Sequence, residues 1–390
     1  MKPKEVINLI KNDDIQFIGC GITPLHIYGI CASFNYLKDN FYVSKGVILS
    51  APHSTTGRII HYEDINLKED EFYYYEVDSL FFEPINNNVW DRVHALNRIG
   101  NKKLGTEIYV AWTEINYRWI NLIEKAFPER KVIYISIDDG GGSYVSRIKD
   151  LLQIRLYENQ KSSLFKKSIF FIKTIIDGQY NLFLKKRLIN NKQFINFNIF
   201  KLCENGNFKR NECAANYYVY EFQKMHKYDE HTMKKFCDCF LINTQCLVEN
   251  NMVDGLIDLK LYSRVVNIIK DINGRVMLKP HPRELNVEKY KKLGCDIYIN
   301  NTNSQEMILA SLPRKPKCII SIFSSTLLNA YGLFNIPVIS LAKLMLKENI
   351  SSIFRKQLVD FIKQYEKIFI FPKSYEQLEK VIKEINYTIK

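Results

Sequence analysis

Short apolar runs alternate with longer amphipathic stretches, first from Ile15 to Ile137 and again from Cys239 to Ile385. Alternation of this kind implies parallel sheet covered by helices on both faces. In the first stretch, Ile15–Cys20, Val47–Leu49, Phe72–Val77, Glu107–Trp112 and Val132–Ile137 read as strands. Helical periodicity runs over Leu25–Leu37, Val89–Ile99 and Ile115–Ala126. Thr23-Pro24 suits a helix start, threonine as N-cap and proline in the first turn. In the second stretch the strands are Phe240–Ile242, the run ending at Leu278, Ile297–Ile299, Cys318–Ile322, Val338–Leu341 and Ile368–Phe371. Helices are read over Leu261–Ile272, Val287–Leu293, Ser304–Leu309, Leu327–Leu333 and Tyr375–Ile385, with Ser304 as an N-cap.

The expected fold is therefore α/β, with two Rossmann-like doubly wound domains over 1–150 and 237–390 facing each other across a cleft, a GT-B-type architecture. Residues 151–236 break the alternation and read as a basic helical insertion and connection. Within them, Leu164–Ile189 carries Lys166, Lys167, Lys173, Lys185, Lys186 and Arg187 against a single acid, Asp177. Gly178 is expected to break this segment into two helices. Its lysines fit a solvated face, a helix lying on a membrane surface, or a track for an anionic polymer.

With 390 residues, 46% of them hydrophobic, the chain can bury two sizeable cores. No apolar run reaches membrane-spanning length. The first residues, MKPKEVINLIKNDD, lack the continuous apolar core of a secretory signal. The expected location is cytoplasmic, with the inner face of the cytoplasmic membrane as a peripheral site. Nine scattered cysteines suit reduced thiols packed as small hydrophobes. Cys237 and Cys239 have no CxxC partner, so zinc is not expected. The net charge of +13 reflects either a lysine-rich background or an anionic partner. Nucleic acid is set aside as that partner, because no RNP, KH or zinc pattern accompanies the lysines.

Three strand ends carry groups suited to chemistry. Asp138-Asp139 precedes Gly140-Gly141-Gly142-Ser143-Tyr144. A carboxylate on such a turn can serve as a general base, or can cap the following helix. The run is neither GxGxxG nor DxD, so neither a dinucleotide nor a metal-bound diphosphate is implied. In Lys279-Pro280-His281-Pro282-Arg283 the prolines stiffen a turn around one histidine. That histidine is either a surface residue on a structural turn or a ligand and proton donor for a phosphate. Finally, Ser324-Ser325-Thr326 precedes an apolar helix. These hydroxyls fit N-capping, and together with the helix N-terminus they fit anion binding.

IDDGGGSY, LKPHPRE and IFSSTLLNAYGL, in this order, resemble the signatures of bacterial sialyltransferases: the acidic-acidic-glycine, HP and paired Ser/Thr motifs. The chain resembles glycosyltransferase family 52, the lipooligosaccharide sialyltransferases, and is similar to the bacterial polysialyltransferases of family 38. GITPLHI and INTQCLVE fit the same pattern, so the resemblance covers about residues 15 to 345. The three successive glycines depart from the family's usual EEG or Gly-x-Gly. The resemblance implies an inverting transfer from CMP-sialic acid to a glycan hydroxyl, with no metal and no cofactor. Asp138 or Asp139 would be the base, with Asp139 preferred for its place beside the glycines, and His281 the acid. Ser324, Ser325 and Thr326 would bind the donor phosphate, and Glu306 the ribose. Lys279, Pro282 and Gln245 would line the donor side with Asn243 and Thr244. The acceptor is expected to be terminal galactose of a surface glycan, or a sialoside if the enzyme extends a capsule chain. Thr23, His26, Trp112, Thr113 and Glu114 are the acceptor-side candidates. A homodimer is left open.

Overall fold

The computed structural model describes residues 8, 15–50, 72–77, 99, 106–113, 117–138, 164–202, 208–225, 230–253, 256–281, 284–299 and 304–388. The chain forms two compact units, 1–201 with 211–221 and 202–210 with 222–390. In chain order, the first unit contains strand β1 (Phe17–Gly21), helix α1 (Pro24–Phe41), β2 (Gly46–Ser50), β3 (Phe72–Glu76), β4 (Glu107–Trp112), α2 (Tyr117–Ala126), β5 (Lys131–Ser136), α3 (Leu164–Asn190) and β6 (Phe194–Asn196). Short strands β7 (Phe200–Leu202) and β8 (Phe208–Arg210) follow, then α4 (Glu212–Met225) and α5 (Glu230–Phe236). The rest of the second unit is β9 (Phe240–Asn243), α6 (Ile257–Asp271), β10 (Val276–Lys279), β11 (Asp296–Ile297), α7 (Gln305–Ser311), β12 (Cys318–Ser321), α8 (Ser325–Phe334), β13 (Val338–Ser340), α9 (Ala342–Met345), α10 (Ser352–Tyr365) and α11 (Tyr375–Thr388).

The first sheet is six-stranded and parallel throughout, in the order β3-β2-β1-β4-β5-β6. Every residue of β1 and β2 is buried, as parallel strands covered on both faces require. At Gly19 a Cβ would collide with Ile30 of α1, so glycine lets this helix lie directly on the sheet. Thr23 caps α1 as expected, its Oγ1 accepting the His26 N–H at 3.4 Å. Ile18, Val47, Val110, Ile120 and Val132 share one core with Leu184 and Leu188 of α3. The basic segment thus belongs to this unit: α3 buries one side in its core, and β6 pairs with β5.

Gly178 does not divide that segment. α3 runs unbroken from Leu164 to Asn190. One interior glycine costs a helix only about 1 kcal/mol relative to alanine, which packing of Leu184 and Leu188 offsets. The opposite side exposes Ile172, Ile176, Leu182, Phe183 and Ile189. Among the described residues no helix is long and apolar enough to cross a membrane. The helix read over Val89–Ile99 lies outside the described residues except at Ile99.

The second sheet has five parallel strands in the order β11-β10-β9-β12-β13. Its central strand, Phe240–Asn243, is buried throughout. The α/β class read from the sequence, with two doubly wound, Rossmann-like units, is what the chain adopts. Three elements differ from expectation. Val287–Leu293 is a 3-10 helix from Glu288 to Leu293, closed by Gly294 at φ 61°. Ile297–Ile299 shortens to the edge strand β11. Ile368–Phe371 contributes only one bridge, Ile370 with Ile339, because Phe369 and Phe371 pack against Phe361 in an aromatic cluster instead of extending the sheet. The described cysteines are free thiols, and burial raises the Cys239 thiol to about 12, consistent with packing rather than reactivity.

Candidate active site

In a doubly wound sheet, ligands gather beyond the strand C-termini where the strand order reverses. In the second unit that point lies between β9 and β12. Asn243, Thr244 and Gln245 leave β9 there, and Ile322–Thr326 leave β12. The two exits are tied together. Gln245 Oε1 accepts the Phe323 N–H at 2.8 Å, and Ser321 Oγ donates to the Asn243 carbonyl at 2.9 Å.

Ser324 caps α8: its Oγ accepts the Thr326 N–H at 3.2 Å and lies 2.8 Å from Thr326 Oγ1. Capping takes one serine, while Ser325 stays exposed at the helix start. Two hydroxyls and the first amides of an apolar helix make a fitting cradle for an anion. Asn243 Nδ2 donates to Gln305 and, at 3.3 Å, to Thr326 Oγ1. Ser304 caps α7 and so sets Glu306 in the first turn of that helix, where Asn329 Nδ2 donates to Glu306 Oε1 at 2.8 Å. Asn243 Oδ1, Gln305 Nε2 and Asn329 Oδ1 are buried with no hydrogen-bond partner among the described residues. Water or a ligand has to satisfy such atoms.

Lys279 ends β10 in register with Asn243. Its side chain is buried, which lowers its pKa, while the Glu306 carboxylate draws it back up. A cation so poorly solvated gains strongly from an incoming anion. His281 follows, half-buried. Its backbone N–H donates to Glu284 Oε2 at 2.8 Å and to Thr244 Oγ1 at 3.1 Å. The Glu284 side chain is fully enclosed. Thr244 and Tyr290 hydroxyls donate to its two oxygens, and Lys289 Nζ lies 3.6 Å away. Burial raises the Glu284 pKa despite these donors. Lys289 also pairs with buried Asp258 at 2.7 Å.

Asp138 lies in the first unit and is completely buried. Its Oδ2 accepts the Ile199 N–H at 3.1 Å, and its own N–H donates to Tyr218 Oη at 2.9 Å. A side chain at Gly29 would occupy the place of the Tyr218 hydroxyl. Thr23, His26, Trp112 and Thr113 sit where the first sheet reverses, between β1 and β4. His26 is buried, with Nδ1 accepting the Ile22 N–H at 3.2 Å. Asp139, the glycine run, Pro282, Arg283 and Glu114 lie outside the described residues.

The structure thus links Gln245, Glu306, Ser324 and Thr326 around one strand-end cluster, with Lys279 and His281 on the neighbouring strand. Sequence reading passed over Gln305, Asn329, Glu284 and Tyr290. Asn329 sits three residues after Thr326 on one helical face, and Glu284 closes the LKPHPRE run, so spacing offered a signal for both.

No curated protein matches the chain. Among solved structures it is similar to a sialyltransferase from Photobacterium damsela, at 14% identity and a TM-score of 0.44, covering 91% of this chain and 81% of that one. A structure of residues 113-497 of the sialyltransferase from Photobacterium damselae, described as its GT-B domain, matches at 13% identity and a TM-score of 0.40, covering 91% of this chain and 99% of that chain. A UDP-GlcNAc 2-epimerase from Methanocaldococcus jannaschii matches at 12% identity and a TM-score of 0.43, covering 95% and 92%. Residues 59–343, well over half of the chain, match the family model described as Alpha-2,8-polysialyltransferase (POLYST). The chain belongs to that family and is a glycosyltransferase of the sialyltransferase kind.

Proposed function

We propose that the chain transfers sialic acid from CMP-sialic acid to a glycan hydroxyl, with inversion and without a metal. The observation that carries this reading is the cluster at the β9/β12 switch point. It combines an anion cradle at Ser324–Thr326, a carboxylate at Glu306, a poorly solvated cation at Lys279 and His281 on the adjacent strand end. In the reaction the acceptor oxygen attacks the anomeric carbon of the sugar, and the bond from that carbon to the phosphate oxygen breaks. CMP departs, and its phosphate charge is met by the Ser324 and Ser325 hydroxyls, the α8 N-terminus and His281. Glu306 accepts from the ribose hydroxyls. The acceptor proton passes to a carboxylate. Asp138 is already committed to Ile199, which favours Asp139 for this task.

Of the two acceptors, the family match favours a sialoside over terminal galactose. The net charge of +13 favours an anionic chain as well. The exposed apolar side of α3, beside Lys186 and Arg187, suits peripheral contact with an anionic membrane bearing lipid-linked acceptors.

A donor and acceptor screen tests the reading. CMP release is expected with CMP-sialic acid, not with CMP-Kdo or UDP-sugars, and a ladder of products is expected on an oligosialic primer. His281→Ala is expected to lower turnover by about 10²–10⁴-fold. A single addition to a galactoside alone would reassign the acceptor. No CMP release from CMP-sialic acid would overturn the donor.

A further inference from the structure

We infer that Glu284 is a positioning residue for His281, acting on its backbone and not on the substrate. The inference rests on the reading of His281 as the group that meets the donor phosphate. Glu284 is fully enclosed, yet it is a carboxylate, and burying one is costly unless its oxygens are used. They are used. Oε2 accepts the His281 N–H at 2.8 Å and the Thr244 hydroxyl, and Oε1 accepts the Tyr290 hydroxyl. Thr244 Oγ1 is itself 3.1 Å from the same His281 N–H, so Glu284 and Thr244 clasp that amide together. Beneath them, Lys289 lies 3.6 Å from Glu284 and 2.7 Å from Asp258, and Tyr290 packs edge-on against Tyr262.

The clasp joins three elements. Thr244 leaves β9, His281 leaves β10, and Tyr290 belongs to the 3-10 helix that follows. His281 lies between two prolines, so its amide is the only backbone N–H from 280 to 282. The His281 carbonyl is held as well, accepting the Glu284 N–H at 3.0 Å, so Glu284 grips the residue through both its side chain and its backbone. A charge-assisted bond to that single N–H sets where the imidazole begins. Small displacements of a reacting group cost rate steeply, up to about 100-fold per ångström.

The experiment compares Glu284→Gln, Glu284→Ala, His281→Ala and the double variant His281→Ala/Glu284→Gln. Hydrogen exchange at the His281 amide, which needs no substrate, is read alongside CMP release and thermal melting. Exchange at that amide is expected to quicken several-fold in Glu284→Gln, because a neutral acceptor binds it less firmly. kcat is expected to fall about 10-fold with KM little changed. The Glu284→Gln loss is expected to vanish in the His281→Ala background, since a residue acting through another adds nothing once that one is gone. Unchanged exchange in Glu284→Gln, or a loss fully retained in the double variant, would overturn the role. If wild-type protein releases no CMP from CMP-sialic acid, the donor reading fails, while the exchange measurement still decides whether Glu284 fixes the turn. Glu284→Gln carries the test if Glu284→Ala does not fold.

Discussion

Asp138 and Asp139 are neighbours with different expected fates. Asp138 is enclosed and accepts the Ile199 N–H, so Asp138→Ala strands a buried donor. A loss of about 1–3 kcal/mol in urea unfolding is expected for it. Asp139→Ala is expected to leave unfolding unchanged and to lower turnover by about 10²–10⁴-fold. A second difference concerns pH. Burial raises the folded-state pKa of Glu284 above the ordinary carboxylate value of 4.5. The folded protein therefore binds the proton more tightly than the unfolded chain. This group's contribution to stability is fully present below about 4.5 and is lost as pH rises through the raised value. Glu284→Gln removes that dependence. Unfolding free energies measured from pH 4 upward, wild type minus variant, are expected to move against the wild type across this window. The Ser-Ser-Thr helix start and the Ser304 cap were legible in sequence because a cap is a local event. The Thr244 half of the clasp on His281 was not, because it joins residues 37 and 40 positions apart through strand pairing.

Among the elements, α3 differs most from its sequence reading. A glycine in mid-helix is a weak breaker, and its effect depends on what the flanking turns bury. Leu184 and Leu188 face the first core, which periodicity shows only once the core is known. Gly178→Ala is expected to stabilise the protein by about 0.5–1 kcal/mol in urea unfolding, because alanine loses less backbone entropy in a helix. The parallel strands were read well because burial on both faces leaves near-continuous apolar runs. Ile368–Phe371 has the same apolar look, yet its phenylalanines serve an aromatic cluster. Composition alone does not separate these two uses of an apolar run.

For the whole molecule, the charge balance of 55 basic against 42 acidic residues bears on the acceptor. An oligosialic acceptor is polyanionic, so its KM is expected to rise several-fold between low and physiological salt as its attraction to the protein is screened. A neutral galactoside should show little change over the same range. Steady-state kinetics across ionic strength separate the two.

The two units are not consecutive pieces of chain. The polypeptide passes between them at 201/202, 210/211 and 221/222. Residues 202–210 return something to the second unit: Arg210 donates to the carbonyls of Gly332 and Leu333 at the end of α8, and Phe208 stacks on Tyr365. Helix α8, at whose first turn we propose the donor phosphate binds, is thus fastened at its far end by a residue 122 positions before Gly332 in the chain. Recombining such a protein with a relative is accordingly a matter of three junctions, not one. A chimaera spliced at a single site near 236 would inherit the second sheet without the strap that secures α8.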